Sequence, residues 1–254
     1  MQKPDNGGKS EATENFPVVR FLAPDKRERA LHFYRLARQA DDIADDPQLA
    51  PEDKLHRLDI VAASEPDDAH LAQLLQAFRW DVNKRRYRDW SELMLYCRFS
   101  AAPVGHFLLA LHGESRKAHP AADALCAALQ VLNHLQDCGD DYRRLDRVYL
   151  PTAWLEAEGA AVTDLAAGAA SPALRRVFDQ ALDRVNELLV HARPLGAAIA
   201  DRRLRLQAEI TLAVGVRLAR LLRRRDPLAA RVRLSGLGHG LAVTAGAWHW
   251  LSGR

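Results

Sequence analysis

The chain has 254 residues, 48% of them hydrophobic, and a formal net charge of +3. That is enough apolar material for a sizeable core, and too small a positive excess to imply a nucleic-acid partner. No run of about eighteen apolar residues occurs, so no membrane-spanning helix is expected.

Residues 1–14 are polar, lack a signal-peptide pattern and are expected to be disordered. No Gly/Ser-rich or Pro-rich linker divides 15–254, which reads as a single all-α domain. Ala, Leu and Arg dominate, and all three favour helix. Taken in chain order, 25–46 reads as a long helix stopped by Pro47, with Leu31, Tyr34, Ala37 and Ala44 on one stripe. Shorter helices follow at 51–63 and 67–80. The segment 91–111 is helical with a break near Pro103, and Gly113 closes it. Another long helix covers 120–142, and Arg147 to Pro151 looks extended or looped. The stretch 161–171 reads as a loop or weak short helix, and helices at 172–193, 195–224 and 227–250 complete the set. Cys97, Cys126 and Cys138 show no zinc-ligand spacing and read as free thiols in a reducing cytoplasm.

Two acidic clusters stand out. Asp41-Asp42-Ile43-Ala44-Asp45-Asp46 ends the first long helix, and Asp137-Cys138-Gly139-Asp140-Asp141 ends the second. Asp41/Asp45 and Asp137/Asp141 are each four apart, so each pair shares one helix face. A single such pair is usually a solvated face. Like charges at that spacing repel, and two pairs set in apolar stretches point to a shared cation. Carboxylate oxygens suit Mg²⁺, whose shell is commonly completed by substrate phosphates. In the second helix Gln130, Asn133 and Asp137 also line one polar stripe, which needs a partner or ligand.

Other residues carry weaker signals. Arg38 lies one turn before Asp41 and can pair with it or reach a phosphate oxygen. Arg143, Arg144 and Arg147 follow the second cluster, and at least one of them is expected to meet phosphate. Phe16, Tyr34, Tyr96, Phe99, Phe107 and Tyr149 read singly as core aromatics, and together as a wall able to face a carbocation. The ten histidines show no metal-ligand spacing. The basic runs at 202–205 and 223–225 read as solvated faces, with anionic lipid contact as the lesser reading.

The run from Tyr34 to Asp46 resembles the first signature of squalene/phytoene synthases. Gln130 to Tyr142, followed by Arg147-Val148-Tyr149-Leu150-Pro151, resembles the second, and Tyr96 to Gly105 resembles the helix between them. Glu14-Asn15-Phe16-Pro17-Val18 and Leu135-Gln136-Asp137 are similar to the hydroxysqualene-forming members of the hopanoid pathway. The linker Arg143-Arg144-Leu145-Asp146 departs from the pattern, lacking its usual Lys-Gly. The resemblance implies an all-α isoprenoid-synthase fold around a central hydrophobic cavity. It implies conversion of presqualene diphosphate and water to hydroxysqualene and diphosphate. The alternatives are head-to-head condensation of two prenyl diphosphates and a non-catalytic assembly factor. It implies Mg²⁺ held by Asp41, Asp45, Asp137 and Asp141, which with Tyr34 and Tyr149 form the catalytic set. Substrate contacts would come from Phe16, Arg38, Asp42, Tyr96, Gln130, Asn133 and Arg147. A cytoplasmic location with peripheral contact at the inner face of the cell membrane, and contact with neighbouring hopanoid-pathway enzymes, are further expectations.

Overall fold

The computed structural model describes residues 22–252. The expected disorder at 1–14, Phe16 and the segment around it lie outside the described residues. Helix α1, Pro24–Asp45, starts with Pro in its first turn, where a missing N–H costs nothing. It stops before Pro47, which disfavours helix in the residue ahead of it. Helices α2 (Pro51–Ser64) and α3 (Ala69–Asn83) follow; Asp68 caps α3 by accepting from the His70 and Leu71 N–H groups. Helices α4 (Trp90–Ser100) and α5 (Ala102–Leu111) are separated at Ala101 (φ −128°, ψ −45°). Gly113 (φ +68°) takes the left-handed conformation that ends this segment.

Helix α6, His119–Leu145, is the central strut. Its Ala128, Val131, Leu132 and Leu135 are almost fully buried, each leucine contributing about 1.5–3 kcal/mol. It packs on α4 and α5 and on two later helices, α8 (Pro172–Ala192) and α10 (Arg202–Arg224). Between them come the short α7, Thr152–Glu158, and α9, Leu195–Ala198. Helix α11, Gly236–Ser252, lies along α10. The described residues hold no strand, only one isolated bridge between Arg86 and Val148. Val148 N–H donates to Arg85 O (2.9 Å) and Thr152 N–H to Tyr87 O (2.9 Å), so 84–89 and 146–153 run side by side.

Two boundaries and one hydropathy reading differ from the sequence expectation. The segment 195–224 is two helices, because the Asp201 carboxylate accepts from Arg203 and Leu204 N–H and starts α10 afresh. The helix expected from 227 begins only at Gly236, because the chain before it is held against α6, with Gln136 Nε2 donating to Val232 O (2.5 Å). The stretch Trp90–Leu111 is long and apolar enough to cross a membrane, contrary to expectation. It is nonetheless two helices, with Leu93, Tyr96, Cys97, Phe107 and Leu109 buried in the bundle.

Gly246 sets how close α11 comes to α10: a Cβ there would lie 2.6 Å from the Ile210 Cα. Backbone cannot yield as a flexible side chain does. Gly246→Ala is therefore expected to lift α11 from α10 while leaving α6 intact. Hydrogen exchange should speed up across 236–252 and stay unchanged in α6; equal protection in both proteins would refute this packing.

Candidate active site

Helix α1 carries Tyr34, Arg38, Asp41, Asp42 and Asp45. Arg38 holds Asp41 (Nη1–Oδ2 2.8 Å) and Asp42 (Nη2–Oδ1 2.7 Å). Burial works against the Arg38 charge, but the two carboxylates outweigh it and hold its pKa raised. Asp45 points to Arg147, whose Nη1 lies 2.8 Å from Asp45 Oδ1.

Arg147 is buried and is the hub of a polar network. Its Nη1 donates to the Tyr149 hydroxyl (3.3 Å), its Nη2 to Asp81 O (3.1 Å), and its Nε lies 3.8 Å from Asp81 Oδ1. The Tyr96 hydroxyl donates to Asp81 Oδ2 (2.7 Å) and lies 3.5 Å from that of Tyr149. Tyr149 stacks on His134 with ring centroids 3.4 Å apart, and on Tyr87 at 5.5 Å. Burial opposes the Arg147 charge, but Tyr149, Asp81 and Asp45 together hold its pKa raised. Burial also pushes the Tyr96 and Tyr149 phenols up, reinforced by Asp81.

On α6, Asp137 is buried and gripped by Arg231, with Nε–Oδ1 2.9 Å and Nη2–Oδ2 3.0 Å. Asp140 pairs with Arg143 at 2.7 Å on the exposed side. Asp141 accepts from the Arg147 N–H through its backbone carbonyl (3.2 Å), so the second cluster abuts the Arg147 segment. Asp146, in the departing linker, takes a left-handed conformation (φ 50°) as the C-cap of α6. Asp tolerates that conformation better than most residues, and its side chain is held by Arg86 (2.5 Å).

Between α1 and α6 lies an open cavity of about 270 Å³. Tyr34, Arg38, Asp41, Gln130 and Asn133 form its polar part, and Phe33, Leu74, Phe78 and Phe107 are among its apolar walls. Val104, Leu108, Cys126 and Leu129 line both this cavity and a second, mainly apolar one of about 130 Å³ that ends at Gln207 and Thr211. A cavity with a polar end thus adjoins a mainly apolar one along a shared wall.

The structure therefore brings together Tyr34, Arg38, Asp41, Gln130 and Asn133 at the cavity. Asp45, Tyr96, Arg147 and Tyr149 form the adjoining network. Asp137 is turned toward Arg231 rather than onto the stripe of Gln130 and Asn133. Of the expected aromatic wall, Tyr34 and Phe107 line the cavity, Tyr96 and Tyr149 anchor the network, and Phe99 packs edge-on against Trp80. Cys138 is buried, and burial raises its thiol pKa, as for a packing residue.

Sequence reasoning missed Asp81, Lys54 and Arg231. Asp81 carried a signal, an acid within an apolar helical run. Lys54 Nζ donates to Ala44 O (2.8 Å) at the end of α1, and burial lowers its pKa. Arg231 sits in an irregular segment with no local pattern.

Among the described residues no three His, Cys, Asp or Glu side chains are gathered closely enough to hold a metal ion. Asp41, Asp45 and Asp137 each pair instead with an arginine. The donor set is hard carboxylate oxygen. That fits Mg²⁺ held by a few carboxylates together with substrate oxygens, and not by an all-protein cage.

A sequence profile described as squalene/phytoene synthase matches residues 58–237. The chain belongs to the squalene/phytoene synthase family. It is 45% identical to a hydroxysqualene synthase of Rhodopseudomonas palustris over 89% of this chain and 85% of that one. It is 41% identical to a hydroxysqualene synthase of Zymomonas mobilis, over 94% and 87%. Among solved structures, squalene synthase HpnC from Alicyclobacillus acidocaldarius superposes with a TM-score of 0.74 at 28% identity, covering 82% of this chain and 86% of that one. A dehydrosqualene synthase gives 0.76 at 20% identity, covering 92% and 90%, a likeness of fold. The fold is the all-α isoprenoid-synthase fold, and the family is one of isoprenoid synthases.

Burial raises the Asp81 carboxyl from the ordinary 3.8 to about 7, against the lowering effect of Arg147 and the Tyr96 hydrogen bond. A carboxyl with a raised folded-state pKa stabilises fully below its unfolded value. That contribution is lost as pH rises through the folded one. Stability from this group should fall between about pH 4 and pH 7, and Asp81→Asn should remove that slope. Urea unfolding across the window checks this; parallel profiles for the two proteins would refute it. Asp81→Ala, which leaves the buried Tyr96 hydroxyl without its acceptor, should cost about 1–3 kcal/mol.

Proposed function

We propose that this protein converts presqualene diphosphate and water to hydroxysqualene and diphosphate in a Mg²⁺-dependent reaction. The observation that carries the reading is the likeness to three hydroxysqualene synthases at 40–45% identity, each over 89% or more of this chain. The cavity that sets Asp41, Arg38, Gln130 and Asn133 beside a mainly apolar second cavity supports it.

In this reading Asp41, Asp45, Asp137 and Asp141 hold Mg²⁺, with Asp42 assisting. Mg²⁺, when bound, neutralises charge on the leaving diphosphate. Arg38 and Arg147 offer guanidinium donors to phosphate oxygens, Arg38 at the cavity and Arg147 from the adjoining network. Gln130 and Asn133 place neutral donors on the same wall. The diphosphate C–O bond breaks, and the hydrocarbon cation is sheltered in the cavity, where Tyr34 presents a ring with a favourable π face. One water adds through its oxygen and releases one proton. No external reductant is consumed. Tyr96 and Tyr149 keep Arg147 oriented. Phe16, outside the described residues, completes the substrate contacts carried over from the family likeness. A cytoplasmic site of action at the inner face of the cell membrane belongs to this reading, as does contact with neighbouring hopanoid-pathway enzymes.

Condensation of two prenyl diphosphates is the second reading, favoured by likeness to phytoene synthases, 32% identical over 58% of this chain in the Mycobacterium tuberculosis case. Purified protein should be incubated with Mg²⁺ and either presqualene diphosphate or farnesyl diphosphate, without NADPH, and the extracted lipids weighed by mass spectrometry. Hydroxysqualene from presqualene diphosphate is the expected product. Presqualene diphosphate formed from farnesyl diphosphate would move the protein to the condensing reading, and turnover of neither would leave it a non-catalytic relative.

Asp41→Ala and Asp137→Ala are each expected to lower turnover at least a hundredfold, about 3 kcal/mol of transition-state stabilisation. Diphosphate release is the assay. Undiminished Mg²⁺-dependent release by either variant would remove that residue from the metal-binding set.

A further inference from the structure

Helix α11 contains no Asp, Glu, Lys or Arg in seventeen residues. A helix on a protein surface normally turns a polar face to water, and one that is apolar on every side is buried in something. One face of α11 is buried against α10. Ala242 packs with Ile210 and Val214, and Gly246 lies against the Ile210 backbone. The opposite face carries Leu237 (76% exposed), Leu241 (45%) and Trp248 (70%). With Thr244 these fall at helical spacings of four, three and four, one continuous stripe.

The charge beside this stripe is mainly positive, with Arg223 and Arg231 paired to Asp183 and Asp137. Residues 202–233 hold ten arginines against two acids, Glu209 and Asp226. The two helices run antiparallel, since Trp250 Nε1 donates to Arg202 O (3.1 Å) while Arg217 Nη2 donates to Leu241 O (3.2 Å). Arg202 and the exposed Arg203 therefore sit beside one end of α11, and Arg217 and the exposed Arg220 beside the other. An uncharged apolar stripe with an exposed tryptophan, bracketed by arginines, matches an anionic lipid surface, where apolar side chains enter the headgroup boundary and guanidinium groups meet phosphate.

We propose that the outer face of α11, Leu237, Leu241 and Trp248, is the docking surface through which this protein lies on an anionic membrane, with the α10 arginines as its electrostatic partners. The proposal gives the membrane-side part of the functional reading a definite surface, and its test is independent of turnover. A soluble protein partner would leave the paired arginines without a stated purpose. A second copy would bring two equally basic helices together, which repel.

The test is co-sedimentation of the full chain with phosphatidylcholine vesicles, with and without phosphatidylglycerol, and with no substrate present. Wild-type protein should sediment with the anionic vesicles, less so at high salt, and weakly with the neutral ones. Leu237→Ser, Leu241→Ser and Trp248→Ser combined should abolish sedimentation. Arg203→Ser with Arg220→Ser should weaken it roughly thirtyfold, at about 1 kcal/mol per arginine near the surface. Circular dichroism checks that both variants fold. Should the serine variant unfold, quenching of tryptophan fluorescence by bromolipid serves instead: Trp248→Phe should remove most of it. Failure of wild-type protein to bind anionic vesicles, or undiminished binding by the folded serine variant, overturns the proposal. So does a wild-type dimer in light scattering that the serine variant breaks, since a second copy then covers the face. Hydroxysqualene formation from detergent-dispersed presqualene diphosphate stays intact in every one of these outcomes if the functional reading is right.

Discussion

The buried guanidinium of Arg147 is the constraint around which the site is arranged. An isolated charge in a helical core is far too costly to keep. This one is made tolerable only by partners from separate parts of the chain: Asp45 on α1, Asp81 on α3, and Tyr149 beside it on the segment after α6. Each partner fixes an element. Asp45 holds the end of α1 over the network, and Asp81 holds α3 beneath it. The pairing of 84–89 with 146–153 supplies the backbone register that turns Arg147 and Tyr149 inward. Removing either partner carboxylate leaves charge behind, which is why the group behaves as a unit.

The same electrostatics explains why the aspartates do not form an empty metal cage. Carboxylates converging without a cation would repel, and the chain instead gives Asp41, Asp45 and Asp137 an arginine each. On the proposed reaction this is a useful resting state. An incoming Mg²⁺–diphosphate brings both signs, so the aspartates can exchange arginine for metal while the arginines exchange carboxylate for phosphate. The Arg38 pairs are partly exposed and cost little to break. The Arg147 pair is buried and is the more expensive exchange. On that reading Arg38 is the group more easily turned toward ligand, while Arg147 stays held in its buried network.

Much of this was legible in the chain. The helices of the core, the break near Pro103 and the Gly113 stop follow from periodicity and from the backbone limits of proline and glycine. The acidic clusters announce themselves by spacing. Periodicity does not show which way a carboxylate turns, since that depends on a partner distant in sequence. Asp137 fits the stripe of Gln130 and Asn133 by spacing, yet its partner Arg231 is 94 residues away in an irregular segment. Tyr96 and Tyr149 read singly as core aromatics and together as part of a cavity wall, because a hydroxyl's distant partner leaves no mark on local spacing. Their partner Asp81 lies just past the end of the helix expected at 67–80, and nothing in the local pattern tied it to either tyrosine. The split at Asp201 was missed for the opposite reason, since a strong apolar pattern on both sides hid a local cap.

The break between α4 and α5 shows how backbone geometry divides the polar from the apolar half of the site. Tyr96 on α4 must face Asp81, whereas Val104 and Leu108 on α5 must face the cavity. One straight helix would give these residues a fixed angular relation and a common axis. The non-helical Ala101 lets α5 take its own direction, and Gly105 then allows it to close on α6, where a Cβ would stand 2.8 Å from Cys126 Sγ. Cys126 and Val104 line both cavities, so that close approach shapes the wall they share. A side chain added at Gly105 would press on Cys126 and so on the wall common to both cavities. The polar contacts of α4 and the apolar lining of α5 are thereby set by two separate helices.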